Sequence, residues 1–211
     1  MNVFYEEEGV FKVGAILTDN TTSLQVEAPH GKRSKIKVAS VLLRFDAPPL
    51  SEFMHFAQKT ADDLDLNFLW ECCVSDAEFA SDALAADYFG HSPGSLEAAA
   101  VLIRLHAAPM YFYKKGRGRY KAAPPEALKA ALASQEKKRL QAEQQSRYVG
   151  LLAAFTLPDE FRPLLTELLY RPDKNTVEWK ALDAACTAAK LNVPRLLEKC
   201  GAIPSSHDYH F

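Results

Sequence analysis

Pro48-Pro49 divides this sequence into two regimes of apolar spacing. Before it, apolar residues alternate with polar ones or run in β-branched stretches. After it they recur every three to four residues. The first is a strand pattern and the second a helix pattern, and a proline pair continues neither. The chain is therefore predicted to be α+β and mostly helical, with its strands gathered at the N-terminal end. Apolar side chains make up 48% of the 211 residues, enough for a core, which excludes disorder of the whole chain.

Residues 1–48 are predicted to form a small β-barrel of the SH3-like or oligonucleotide-binding kind. Val10–Leu17 is a β-branched run in which Gly14 marks a bulge or bend. Leu24, Val26 and Ala28 alternate with Gln25 and Glu27. Ile36 alternates with Lys35 and Lys37, and Val41–Phe45 is a further apolar run. Two turn clusters, Asp19–Thr22 and Pro29–Lys32, separate them. A piece this short makes a marginal core alone, so it is expected to pack on the helical residues after it.

Residues 49–124 are predicted to form a winged helix-turn-helix module. A helix over 52–63, capped by Ser51, places Phe53, Phe56, Ala57 and Ala61 on one face. A short apolar helix, Asn67–Val74, contains Trp70. Ser75-Asp76-Ala77-Glu78 has capping-box spacing and is expected to open a helix that ends at Gly90. An Ala-rich helix comes next over 95–108, stopped by Pro109. Met110–Tyr113 and Arg119–Ala122 then flank Lys114-Lys115-Gly116-Arg117-Gly118, which predicts a β-hairpin with a basic tip. Residues 125–202 are predicted to be helical throughout, as a long polar helix over 126–147 and then shorter ones. Residues 203–211 have no period and are expected to be a tail or linker.

Several classes are excluded on sequence grounds. There is no Walker A loop, no G-x-S-x-G elbow, no H-E-x-x-H and no G-x-G-x-x-G fingerprint. Four cysteines without a C-x-x-C pair argue for free, buried thiols in a reducing compartment. His207 and His210 lack further ligands, and Asp62, Asp63 and Asp65 read as a helix end and a solvated turn, so neither group is a metal site. The N-terminus has no apolar leader and no stretch is long enough to span a bilayer, so a cytoplasmic protein with no membrane partner is expected.

Charge is segregated. Net charge is −2, yet residues 49–108 hold ten acids and two bases, while residues 109–147 hold ten bases and three acids. The densest part is MYFYKKGRGRYKAAP at 110–124. Lys114, Lys115, Arg117, Arg119 and Lys121 lie there with no acid between them, beside Tyr111, Phe112, Tyr113 and Tyr120. Cations displace counterions from phosphates and flat rings stack on unpaired bases, so this hairpin is a candidate nucleic-acid surface. Strand alternation turns at least half of these rings inward. A second basic patch comprises Lys32, Arg33, Lys35 and Lys37, with Lys35 and Lys37 on one strand face opposite Ile36.

A string of short segments also carries a family resemblance. Phe68-Leu69-Trp70-Glu71, Asp87-Tyr88-Phe89-Gly90, Glu97-Ala98-Ala99-Ala100, the hairpin with its Ala-Ala-Pro-Pro-Glu exit and the Gly31–Lys37 run resemble, in order, the N-terminal region of bacterial ribonuclease II-like (RNB-family) proteins. The resemblance implies 3′–5′ hydrolysis of single-stranded RNA by a magnesium-dependent RNB domain with an aspartate-rich motif. That motif is absent here, so no catalytic residue carries over and no cofactor is assigned to this chain. The implied reading is an N-terminal, RNA-binding fragment, whose partners are single-stranded RNA and its own downstream catalytic domain. Two other readings stay open. One is a DNA-binding winged-helix regulator, although its groove-entering helix would offer only Arg104 and His106 beside Glu97. The other is a protein-interaction module using the acidic 49–108 segment.

Overall fold

A computed structural model describes residues 1–73 and 76–207. It is α+β, and the chain divides into two compact units, Met1–Ala131 and Leu132–Phe211.

The first unit opens with five antiparallel strands: β1 (Asn2–Glu7), β2 (Val10–Asp19), β3 (Ser23–Glu27), β4 (Arg33–Lys37) and β5 (Val41–Phe45). Their order in the sheet is β4-β3-β2-β1-β5. Val3, Phe4 and Tyr5 of β1 are all buried, so both faces of this inner strand are covered. A strand buried on both faces shows no alternation, which is why this segment carries no clear strand signal in the sequence. β2 pairs with β1 along its first half and with β3 along its second, with a register shift between Ile16 and Thr18. Gly14 packs directly on Val26 of β3. A Cβ built there would stand 2.9 Å from Val26 Cβ, nearer than real side chains approach, so the site requires glycine.

The sheet curls around a small core of Val3, Tyr5, Leu24, Val26 and Ile36. It does not close: among the described residues no ladder joins β4 to β5. The expected closed barrel is thus an open five-stranded sheet. A three-residue 3-10 turn, Val38–Ser40, takes the chain from one edge strand to the other, and β5 pairs only with β1.

Phe4, Val13 and Phe45 leave the other side of the sheet and enter the main core of the unit. There they meet α1 (Leu50–Asp62), which buries Phe53, Ala57 and Ala61 at four-residue spacing. Phe53 stacks on Phe45 with ring centroids 3.7 Å apart. α1 begins at Leu50, one residue before the predicted Ser51 cap, and Phe56 falls on its exposed flank. Asp65 caps α2 (Leu66–Glu71) by accepting from the Phe68 N–H at 3.0 Å. The predicted capping box at 75–78 does not open a helix. Ser75 lies outside the described residues, and Phe79-Ala80 form a strand, β6, before α3 (Ser81–Phe89) begins. Gly90 ends α3 at φ +73°, the left-handed stop its sequence predicts. α4 (Ser95–His106) and the hairpin β7 (Phe112–Gly116) and β8 (Arg119–Ala122) complete the unit. The second sheet has the order β6-β8-β7.

α5 spans Pro125–Ala153. In the second unit its Tyr148 and Leu152 join a core with Phe161, Leu168, Leu182, Leu196 and Leu197. That core is completed by a 3-10 segment (Asp159–Leu164), α6 (Leu165–Tyr170), α7 (Val177–Ala189) and α8 (Val193–Lys199). Thr176 and Asn192 cap the last two by accepting from Trp179 and Arg195 N–H groups. Among the described residues no helix is long and apolar enough to cross a membrane.

Candidate nucleic-acid interface

The hairpin forms as predicted, with Lys114 across from Tyr120 and Tyr113 across from Lys121. Phe112 and Tyr120 are buried, Tyr111 is half-buried and Tyr113 is exposed. Burial, with the Glu6 charge nearby, pushes the Tyr120 phenol up to about 12.

Four of the five hairpin cations are engaged inside the unit. Lys114 Nζ donates to Glu6 Oε1 on β1, and that carboxylate is buried. Arg117 Nη1 donates to the Ala39 carbonyl at 2.9 Å. Lys121 Nζ lies 3.1 Å from Asp76 Oδ1. Arg119 Nε faces Glu78 Oε2 at 3.7 Å, an ion pair too long for a hydrogen bond. Among the described residues only Lys115 of the five has no partner. Sequence pattern alone does not reveal Glu6, Asp76 and Glu78 as counter-charges. The acidic runs at 6–8 and 76–78 are visible in it, but nothing local couples them to a hairpin far along the chain.

The second patch is freer. Arg33, Lys35 and Lys37 project from one face of β4, across from Glu27, Gln25 and Ser23, while Ile36 points into the small core. Arg33 Nε donates to Glu27 Oε2 at 2.8 Å. Lys32 in the preceding turn, Lys35 and Lys37 are exposed and make no ion pair or hydrogen bond with any described side chain. Lys35 and Lys37 stand about 6.7 Å apart along the strand. Since β4 is an edge strand, these lysines border an open ladder edge. Charge there also discourages strand addition by other chains.

Other sequence expectations find plain places. Asp62 accepts from Gln58 Nε2 at 2.9 Å and Asp65 caps α2, so these acids serve helix ends. Among the described residues no group of three or more His, Cys, Asp or Glu side chains is close enough to hold a metal ion. His106 is exposed, with its ring edge-on to Phe11 at 5.0 Å. His210 lies outside the described residues. The four cysteines are free thiols, and burial pushes Cys73 and Cys186 up to about 11. α4 buries Ala99–Ile103 and Leu105, in a core shared with Phe4, Val13 and Phe45 of the sheet.

No protein-family model, curated protein or solved structure matches the chain.

Proposed function

We propose that this chain is the N-terminal RNA-binding part of a ribonuclease II-like 3′–5′ exoribonuclease, holding single-stranded RNA for an RNB catalytic domain downstream. The family assignment rests on the ordered sequence segments. The observation that carries the binding role is that Lys32, Lys35 and Lys37 are free and exposed, the last two on one face of an edge strand and Lys32 in the turn before it. Unpaired ammonium groups in a row release counterions from a phosphate chain without first breaking internal ion pairs. The hairpin contributes through Lys115, with Tyr113 exposed beside it as a stacking surface.

From α2 onward, the order helix, strand, helix, helix, hairpin and the sheet order β6-β8-β7 support reading residues 49–124 as a winged helix. A DNA-reading regulator is disfavoured, because α4 is largely buried and leaves few side chains for a major groove.

The test is a salt titration of affinity for a single-stranded RNA oligonucleotide. A Lys32→Ala/Lys35→Ala/Lys37→Ala variant is expected to bind more weakly. Its log–log salt slope should be flatter by about 2, at roughly 0.7 per lost phosphate contact. An unchanged slope and affinity would remove the β4 surface from the reading.

A further inference from the structure

A cavity of about 720 Å³ lies inside the first unit, between β5, the α3 N-terminus and the hairpin tip. That is within the range of sites for small organic ligands, roughly 300–1,000 Å³. Its walls are of two kinds. Leu42 and Leu102 supply apolar surface, and Ser81, Asp82, Arg117 and Arg119 supply polar groups.

Three features distinguish the polar side from an ordinary surface cleft. Ser81 is 7% exposed, and its N–H is held by the Gly118 carbonyl at 2.9 Å, yet its hydroxyl has no partner among the described residues. That hydroxyl lines the cavity and is free to donate to, or accept from, whatever enters. Each guanidinium is anchored on one side only: Arg117 by Ala39, and Arg119 loosely by Glu78. A guanidinium carries five donors in a fork that matches phosphate geometry, so both retain donors for an anion. Ser81 is also the first residue of a nine-residue helix, whose N-terminal end favours negative charge.

Asp82 adds selectivity. Its carboxylate accepts from the Ala83 N–H at 2.8 Å and keeps spare lone pairs at the cavity wall. It accepts from an amino group on a ligand's body. Inorganic phosphate would leave most of the space unfilled.

We propose that this cavity binds a nucleoside monophosphate, either free or as the 5′-terminal residue of an RNA. Arg117, Arg119 and the Ser81 hydroxyl take the phosphate. Leu42 and Leu102 take the base, whose amino group turns to Asp82. This site goes beyond the RNA-holding surface on β4 and stands without it.

The experiment is a calorimetric titration of the full chain with AMP, adenosine and inorganic phosphate. Two further arms use an adenylate trinucleotide with and without a 5′-phosphate. AMP is expected to saturate one site, with adenosine and phosphate each weaker by about tenfold or more, as loss of a charge-assisted anchor implies. Binding of AMP alone assigns the free nucleotide, and preference for the 5′-phosphorylated trinucleotide assigns an RNA end. Arg119→Gln should weaken binding by a similar factor. Ala83→Trp, at an exposed lining position, blocks the cavity without touching the core and serves if the first variant does not fold. Lys35→Ala/Lys37→Ala should leave AMP binding unchanged, which separates this site from the β4 surface. Three results overturn the proposal: no binding of either AMP or the phosphorylated trinucleotide, equal binding of phosphate and AMP, or AMP binding that survives Ala83→Trp intact.

Discussion

Glu6, buried on an inner strand of the first sheet, accepts a hydrogen bond from Lys114 of the hairpin, 108 residues further along the chain. The pair joins the strand-rich start of the unit to the hairpin. It also converts a cation that looks like a nucleic-acid contact into a structural one. Lys114→Ala leaves Glu6 buried without its partner and should cost about 1–3 kcal/mol. Lys115→Ala, at a solvated position, should stay within about 0.5 kcal/mol. Urea denaturation of the two variants measures the difference. Equal midpoints would mean that the buried carboxylate is satisfied without Lys114.

Tyr120 contributes to the alkaline decline of the first unit, above the range in which the Cys73 thiol begins to ionise. Its phenol ionises near 10.0 in the unfolded chain and near 12 in the folded one. The folded state therefore holds the proton more tightly. Stability from this group is intact below pH 10 and is lost as pH rises towards 12. The hydroxyl also has no hydrogen-bond partner among the described residues. Tyr120→Phe should accordingly gain about 1 kcal/mol at neutral pH and show a shallower alkaline decline. Chemical denaturation at neutral pH and near pH 11 would reveal both, and a Phe variant that declines as steeply as the parent would assign the loss to other groups.

Trp70 is anchored at both ends. Its ring packs against the main core, and Nε1 donates to the Ala123 carbonyl at 2.9 Å, tying α2 to the exit of the hairpin. Trp70→Phe keeps most of the packing and should lose about 1 kcal/mol for the hydrogen bond. Trp70→Ala should lose about 3 kcal/mol. A thermal series in which both cost the same would mean that the hydrogen bond, not the ring, holds the contact.

Gly14→Ala tests the curl of the first sheet. The new methyl would press on Val26, and overpacking of this kind costs about 1–3 kcal/mol. Paired with Val26→Gly, which removes the Cβ that the new methyl meets, Gly14→Ala should cost less than the sum of the two single changes. If the single variant melts with the parent, β2 and β3 do not approach as closely as the register implies.

Much of the first unit is legible from residue pattern, and the departures share a cause. The hairpin, α1, α4 and the Gly90 stop are dictated by nearest neighbours: turn glycines, four-residue apolar spacing and a left-handed cap. The start of α3 is not. Ser75–Glu78 has the local spacing of a helix cap, but Phe79 and Ala80 pair with Tyr120 and Arg119, some forty residues on, and that ladder wins. Residue pattern also predicts a break in α5 near residue 147; Tyr148 and Leu152 instead continue the helix into the second core. At the candidate interface every cation is visible in the sequence, and the free β4 lysines follow from simple alternation. Counter-charges are not visible there, because whether Lys114 is free depends on a strand folded against it from the opposite end of the unit.

The two large cores have no residue in common: one gathers around Phe53, Leu69 and Leu105, the other around Tyr148, Phe161 and Leu182. Cooperative unfolding belongs to a single shared core, so a chain with two separate cores is expected to melt in two transitions. A large-to-small change at Phe53 should lower one calorimetric transition and leave its neighbour in place, while the same change at Phe161 does the reverse. If the two transitions separate in this way, ligand-induced shifts become interpretable once each transition has been assigned to its own core.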